Sequence, residues 1–330
     1  MRGTNRRAVL AAGFVLPLAA CLPLSGCAPT RGPGQLRIMV PTPPGGGFDQ
    51  TARTVKAALE ESGTVGDVTV FNLPGVSGTA ALARLVYERG TPGLVLQMGL
   101  GVLANSHIES ASHSVSETTP LARLIEEPEA LLVPPDSPLE TIDDLVAAWR
   151  ADPSGMVIGG GSTPAGPDHM VTMLLAEELG IDPKVVDYRA YDGGGQVQAA
   201  LLGHEVDFAA AGPSEQHAAI ESGQLRVLAV TSAEPDPETG APTLTEAGIP
   251  LRFLNWRGLL APPGLSESDR EELLWMVAEL HGSDEWRAEL ERNRWTDAYL
   301  EGEGFAVFLA EEEERVGAAL NRLGLTEKDD

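Results

Sequence analysis

Pro41-Thr42-Pro43-Pro44-Gly45-Gly46-Gly47-Phe48-Asp49 sits between the apolar run Leu36 to Val40 and a segment where Ala52, Val55, Ala58 and Leu59 recur at helical spacing until Gly63. The stretch therefore reads as the turn from a strand into a helix. Three consecutive glycines let several backbone amides converge on one point. The helix start adds unpaired N–H groups and a partial positive charge. Together these make an anion site built of backbone, and the expectation is that the loop holds a carboxylate. It is neither a Walker loop, since no Gly-Lys-Ser/Thr follows, nor a dinucleotide fingerprint, since Gly-x-Gly-x-x-Gly is missing.

The same unit recurs along the chain. Val68 to Phe71 reads as a strand that runs into Asn72-Leu-Pro-Gly-Val-Ser-Gly-Thr79 and a helix carrying Leu82, Leu85 and Val86. Leu94 to Gln97, Leu121 to Ile125 and Ala130 to Val133 read as further strands, and Thr141 with Asp144 has the spacing of a helix-capping box. A third unit runs from Met156 through Gly159-Gly-Gly-Ser-Thr to a helix opened by Pro167 and Asp168. A fourth carries Val185 to Arg189, then Asp192-Gly-Gly-Gly195 and a helix from Val197 to Leu202. Strands are expected again at Asp207–Gly212, Arg226–Val230 and Phe253–Leu260, and three helices near 266–280, 284–293 and 304–323. Strand, glycine turn and helix in alternation predict an α/β protein with parallel sheet, whose ligands gather at the carboxyl ends of the strands.

Composition narrows the function. The 330 residues allow about two domains, and 43% apolar content is ordinary for a globular protein. A formal net charge of −25 argues against nucleic acid and anionic lipid as partners. Arg2, Arg6 and Arg7 followed by the apolar run Ala8 to Leu22 form a targeting segment too short to span a bilayer comfortably. Leu24-Ser-Gly-Cys27 has the look of a lipobox, which makes Cys27 the expected lipidation site after loss of residues 1–26, with 27–35 as a tether. Asn5-Arg6-Arg7 also hints weakly at twin-arginine export. That loss removes three arginines and no acid, and it takes away Cys21, so no cysteine is left for a disulfide, a zinc site or a thiol nucleophile. No set of His, Cys and carboxylates has metal-ligand spacing, and no cofactor motif is present.

Several motifs, in order, carry a resemblance: Val40-Pro-Thr-Pro-Pro-Gly-Gly-Gly-Phe-Asp49, Asn72 to Thr79, Gly159 through His169, Tyr188 through Asp207, and Trp256-Arg-Gly-Leu-Leu-Ala-Pro-Pro-Gly264. The pattern resembles the solute receptors of tripartite tricarboxylate transporters, the TctC or Bug family, over essentially all of the chain after the targeting segment. The resemblance implies a two-lobed type II periplasmic-binding-protein fold with a ligand cleft between lobes, residues 36–130 and 229–330 forming one lobe and 131–228 the other. The targeting segment and Cys27 predict an exported protein, lipid-anchored on the outer face of the cytoplasmic membrane, with a monomer as the default. Such a receptor captures a di- or tricarboxylate and passes it to membrane permease subunits. Carried over by position, the ligand-binding residues are Pro44, Gly45, Gly46, Gly47, Phe48 and Asp49, then Asn72, then Ser162, Thr163, Asp168 and His169, then Asp192, Gly193, Gly194 and Gly195, with Trp256 as a wall. The family often has Phe or Tyr where Thr42 stands and a small residue where Phe48 stands, so the pocket is reshaped.

On the residues' own chemistry, Asp49, Asp168 and Asp207 read first as caps or braces, and Ser162, Thr163 and His169 as possible donors. Arg53 reads as a solvated helix residue or an accessory to the anion site. Phe48 and Trp256 are expected to be apolar walls. Helix dipoles contribute about 0.3–1 kcal/mol per exposed contact and ~2 when partly buried, and charge-assisted hydrogen bonds about 1.5–3 kcal/mol each. A few together reach the roughly 8 kcal/mol of micromolar binding. Two other classes compete: a receptor that presents its ligand to a sensor kinase, and an acyl hydrolase using Ser162 with His169. The hydrolase lacks a Gly-x-Ser-x-Gly elbow.

Overall fold

The computed structural model describes residues 33–108 and 112–326, so Cys27, the targeting segment and most of the tether lie outside the described residues. The first lobe opens with β1 (Leu36–Val40), α1 (Gly47–Glu61), β2 (Val68–Asn72), α2 (Thr79–Tyr87), β3 (Leu94–Gly99), α3 (Leu100–Ser106) and β4 (Thr119–Pro128). The second lobe runs β5 (Ala130–Val133), α4 (Ile142–Ala151), β6 (Val157–Gly160), α5 (Pro167–Glu178), β7 (Asp187–Ala190), α6 (Gly194–Leu202), β8 (Phe208–Ala211), α7 (Pro213–Glu221) and β9 (Arg226–Val230). The chain then returns to the first sheet through β10 (Leu254–Ala261), α8 (Glu267–Gly282), α9 (Asp284–Asn293), β11 (Thr296–Glu301) and α10 (Gly302–Arg322).

Two sheets result, ordered β11-β4-β10-β3-β1-β2 and β7-β6-β8-β5-β9. Each has a parallel core, β3-β1-β2 in one and β7-β6-β8 in the other. Neither sheet is wholly parallel: β10 runs antiparallel to β3 and β4, and β5 antiparallel to β8 and β9. The strands on which the chain enters a sheet from the other one, β5 and β10, run against the βαβ units, as does the edge strand β11, whereas β4 and β9, on which it leaves, run with them. Only Glu129 separates β4 in the first sheet from β5 in the second. Strand β9 pairs with β5 through Val230, and the chain rejoins the first sheet at β10.

Local sequence explains the elements that hold the site. Ala52, Val55, Ala58 and Leu59 of α1 are buried against β1 and β2, as their spacing requires. Thr141 Oγ1 accepts from the Asp144 amide at 3.2 Å while the Asp144 carboxylate accepts from the Thr141 amide at 2.9 Å, a complete capping box. Phe305, Leu309, Val316 and Leu320 form the buried stripe of α10. One apolar cluster joins residues of both lobes, from Leu82 and Leu96 to Leu131, Phe208 and Leu228.

Candidate functional site

A cavity of about 300 Å3 lies at the carboxyl ends of the parallel strands of both sheets. The first lobe lines it with Pro41, Thr42, Pro43, Gly46, Gly47 and Phe48, with Pro74, Gly75, Ser77 and Gly78, and with Gly101 and Asn105. The second lobe contributes Gly161, Ser162, Thr163, Gly166, Pro167, Asp168, Tyr191, Asp192, Gly193 and Glu215. Asn255 and Arg257, on the returning strand β10, complete it. The glycine loops meet across the cavity. A Cβ on Gly193 would lie 3.1 Å from Gly46 Cα, and Gly193 holds φ +90° and ψ 176°, a region closed to side-chain-bearing residues.

The glycine loops do hold carboxylates, and these belong to the protein itself. Asp49 accepts from the Gly45 amide at 3.0 Å, from Arg53 at 2.8 and 3.0 Å, and from Asn72 Nδ2 at 2.9 Å. Burial opposes the Asp49 charge, but the bonds from Arg53, Asn72 and Gly45 outweigh it and hold its pKa below the ordinary carboxylate value. Asp168 accepts from the Gly161 amide at 2.6 Å. Glu215 accepts from the Gly194 amide at 3.0 Å, at the start of α6, and its Oε1 lies hard against Gly47, at the start of α1, 2.5 Å from where a Cβ there would stand. One side chain from α7 thus caps the N-terminus of α6 and packs against that of α1.

The charges behind the cavity are tightly packed. Arg257, 2% exposed, donates to Glu127, which is 1% exposed, and its other terminal nitrogen donates to Thr51 Oγ1 at 3.2 Å. Glu215 Oε1 is 3.8 Å from the same guanidinium. Burial, with repulsion from Asp168, Glu127 and Glu215, drives Glu129 well above the ordinary carboxylate range. Burial and then the charge of Glu215 raise Asp168 to about 7. Burial also raises Glu215, partly offset by Arg257. His169 is pushed down to about 4 by burial, so its ring is neutral at physiological pH.

Of the residues expected to bind ligand, Gly46, Gly47, Phe48, Ser162, Thr163, Asp168, Asp192 and Gly193 line the cavity. Pro44, Gly45, Asp49, Asn72, His169, Gly194 and Gly195 do not. Asp49 and Asn72 brace the first loop, Asn72 Nδ2 also donating to the Thr42 carbonyl at 2.9 Å. Gly194 serves through its amide, already donated to Glu215. Trp256 faces the other way: its Nε1 donates to Glu312 at 2.9 Å and its ring packs edge-on against Phe305 and Phe308. Alternation along β10 gives the reason, since Asn255 and Arg257 point to one face of the strand and Trp256 to the opposite one. The sequence reading missed both of these and Glu215. A lone Arg flanked by apolar residues in a strand was the signal for Arg257.

Ser162 and His169 do not form a nucleophile pair. Ser162 Oγ accepts from the amides of Asp168 and His169 at 3.1 and 3.4 Å, and His169 Nδ1 accepts from the Ala165 amide at 3.2 Å. Among the described residues Ser162 Oγ acts only as an acceptor. Among the described residues no cluster of His, Cys, Asp and Glu could hold a metal ion, and no helix is long and apolar enough to cross a membrane.

The family model for the tripartite tricarboxylate transporter family receptor matches residues 52–325. Protein BugT of Bordetella pertussis (strain Tohama I) is 30% identical over 241 residues, covering 69% of this chain and 71% of the relative. Among solved structures, periplasmic binding protein BugD aligns with a TM-score of 0.80 at 19% identity, covering 89% of this chain and 99% of that one. MatC from Rhodopseudomonas palustris with bound malate aligns with a TM-score of 0.76 at 21% identity, covering 87% and 98%. A further R. palustris protein, with adipate, aligns at 0.79 and 22% identity, covering 88% and 97%. These likenesses show the two-lobed binding-protein fold, and with the family match they make the chain a binding protein rather than an enzyme. The chain belongs to the tripartite tricarboxylate transporter receptor family.

Proposed function

We propose that this chain is an exported receptor that captures a small organic acid, of the size of a di- or tricarboxylate, and delivers it to the permease subunits of a tripartite transporter. The observation that carries the reading is the cavity between the lobes, lined by glycine loops and by the hydroxyls of Thr42, Ser77, Ser162 and Thr163. Thr42 Oγ1 has no hydrogen-bond partner among the described residues, and Ser162 Oγ acts among them only as an acceptor. Hydroxyl donors suit a carboxylate that must be bound and released. The malate and adipate of the structural neighbours support an acid ligand. Lipid on Cys27 would keep the receptor beside its permease on the outer face of the cytoplasmic membrane.

A thermal-shift screen of the purified chain against mono-, di- and tricarboxylates tests the ligand class, because a ligand of the native state raises the melting temperature by mass action. A clear shift with an acid, and loss of uptake of that acid in a strain lacking the gene, is the expected result. Shifts only with sugars or other neutral solutes would refute the acid assignment. Normal uptake in the deletion strain would refute the transport role.

A further inference from the structure

A second cavity, of about 610 Å3, lies on the other side of β4 and β10 from the cleft. Strand alternation assigns the faces: Asn255 and Arg257 line the cleft, while Leu254 and Trp256 line the second cavity with their register partners on β4, Pro128 and Glu126. The volume falls within the roughly 300–1,000 Å3 of small-molecule sites. Arg252, on its wall, is exposed and makes no hydrogen bond or ion pair among the described residues. Arg123 stands 4.3 Å over the Phe308 ring, gives its Nε to the Ala298 carbonyl at 2.8 Å and has Glu126 no nearer than 3.7 Å, so its terminal nitrogens donate no hydrogen bond among the described residues. Of the carboxylates there, Glu312 is taken by Trp256 Nε1 and by Arg315, and Glu234 is exposed with no ion pair among the described residues. Leu254, 39% exposed, and Phe308 add open apolar surface.

We propose that this cavity is a second ligand site, for a monocarboxylate with an apolar body, and that its occupant holds the two connections between the sheets in place. The carboxylate lies between the guanidinium groups of Arg252 and Arg123, and the body covers Leu254 and Phe308. Thr231, fully buried on the cavity wall, stitches both connections together: its Oγ1 accepts from the Glu129 amide at 2.8 Å and donates to the Phe253 carbonyl at 2.6 Å. An occupant therefore rests on the segments about which one sheet would swing against the other. The site shares no lining residue with the cleft, so it stands or falls apart from the receptor reading.

The test is calorimetric titration of the purified chain with phenylacetate, cinnamate and indole-3-acetate, against phenylacetamide, which lacks the charge, and acetate, which lacks the body. It is repeated on Gly46→Trp, which obstructs the cleft, and on Arg252→Gln and Glu234→Gln, both exposed and outside the cleft. At least one aryl acid is expected to saturate a site in the natural chain and in Gly46→Trp alike, with both control probes at least about tenfold weaker, since a charge-assisted hydrogen bond is worth about a factor of ten. Arg252→Gln should weaken that acid about tenfold, and Glu234→Gln should tighten it. With the site saturated, amide hydrogen exchange at residues 231–234 and 252–254 should slow severalfold. Binding of none of the aryl acids, or an affinity unchanged in Arg252→Gln, overturns the site. Binding lost in a Gly46→Trp chain that still melts cooperatively puts the aryl acid in the cleft and overturns it too. Unchanged exchange at those segments overturns the hold on the connections and leaves the site standing.

Discussion

Asp168 shows how much a single buried carboxyl can report. Its folded pKa of about 7 lies above the ordinary 3.8, because burial and the neighbouring Glu215 oppose its charge. The native state therefore retains a proton that the unfolded chain has already released, and stability rises wherever the unfolded state binds more protons, which is the reverse of this case. The contribution of Asp168 is fully present below about pH 4 and is lost as pH rises through about 7. Replacing it by Asn, which can still accept from the Gly161 amide, removes that dependence. Melting curves of Asp168→Asn and the natural chain should separate as pH rises from about 4 to 7, with the variant gaining relative stability. Parallel curves would contradict the charge environment described. Gly193 makes a second prediction at this scale. Gly193→Ala places a Cβ 3.1 Å from Gly46 Cα in a backbone region that costs about 1–3 kcal/mol for a side-chain-bearing residue. The melting temperature should fall and ligand affinity should drop with it, because the two loops can no longer approach. An unchanged affinity would mean the loop contact plays no part in closure.

At the level of elements, the strand–glycine–helix units were legible because each carries a local signal: Leu36 to Val40 before three glycines, Thr141 with Asp144, Pro167 at a helix start. What escaped lies where the signal is tertiary. Strand β11 is Thr-Asp-Ala-Tyr-Leu-Glu, a mixed edge strand held by pairing to β4 rather than by its own pattern. Helices α3 and α7 are short, and α7 delivers Glu215 to a partner loop far away in sequence, a distance no local spacing encodes. The placing of Trp256 failed on strand register, since a shift of one residue exchanges the faces of a strand. Trp256→Phe tests the corrected placement. It removes the bond to Glu312, whose carboxylate still pairs with Arg315, so a loss of about 1 kcal/mol in stability is expected with ligand preference unaltered. A changed preference in calorimetry would return Trp256 to the pocket wall.

For the whole molecule, the net charge of −25 works against any anionic ligand before contact is made. The cleft answers with the hydroxyls of Thr42, Ser77, Ser162 and Thr163, while the long-range repulsion is screened over about 8 Å at 0.15 M salt. Association of a net-negative acid should therefore quicken as salt rises from low ionic strength to about 0.15 M. Stopped-flow rates that fall with salt would point to a cationic entrance that the charge distribution does not suggest. The pairing of two sheets, with passages at Glu129 and after Val230, lets both lobes reach the ligand, so cleft-filling is the sharpest intervention. Gly46 has an ordinary extended backbone, φ −90°, and its nearest neighbour across the gap is Gly193 Cα at 3.8 Å from a built Cβ. Calorimetric titration of the best acid into the natural chain and into Gly46→Trp is the most direct measurement. One-site binding in the natural chain, abolished in a variant that still melts cooperatively, is the predicted result; equal binding in the folded variant would place the ligand elsewhere and contradict the interlobe site.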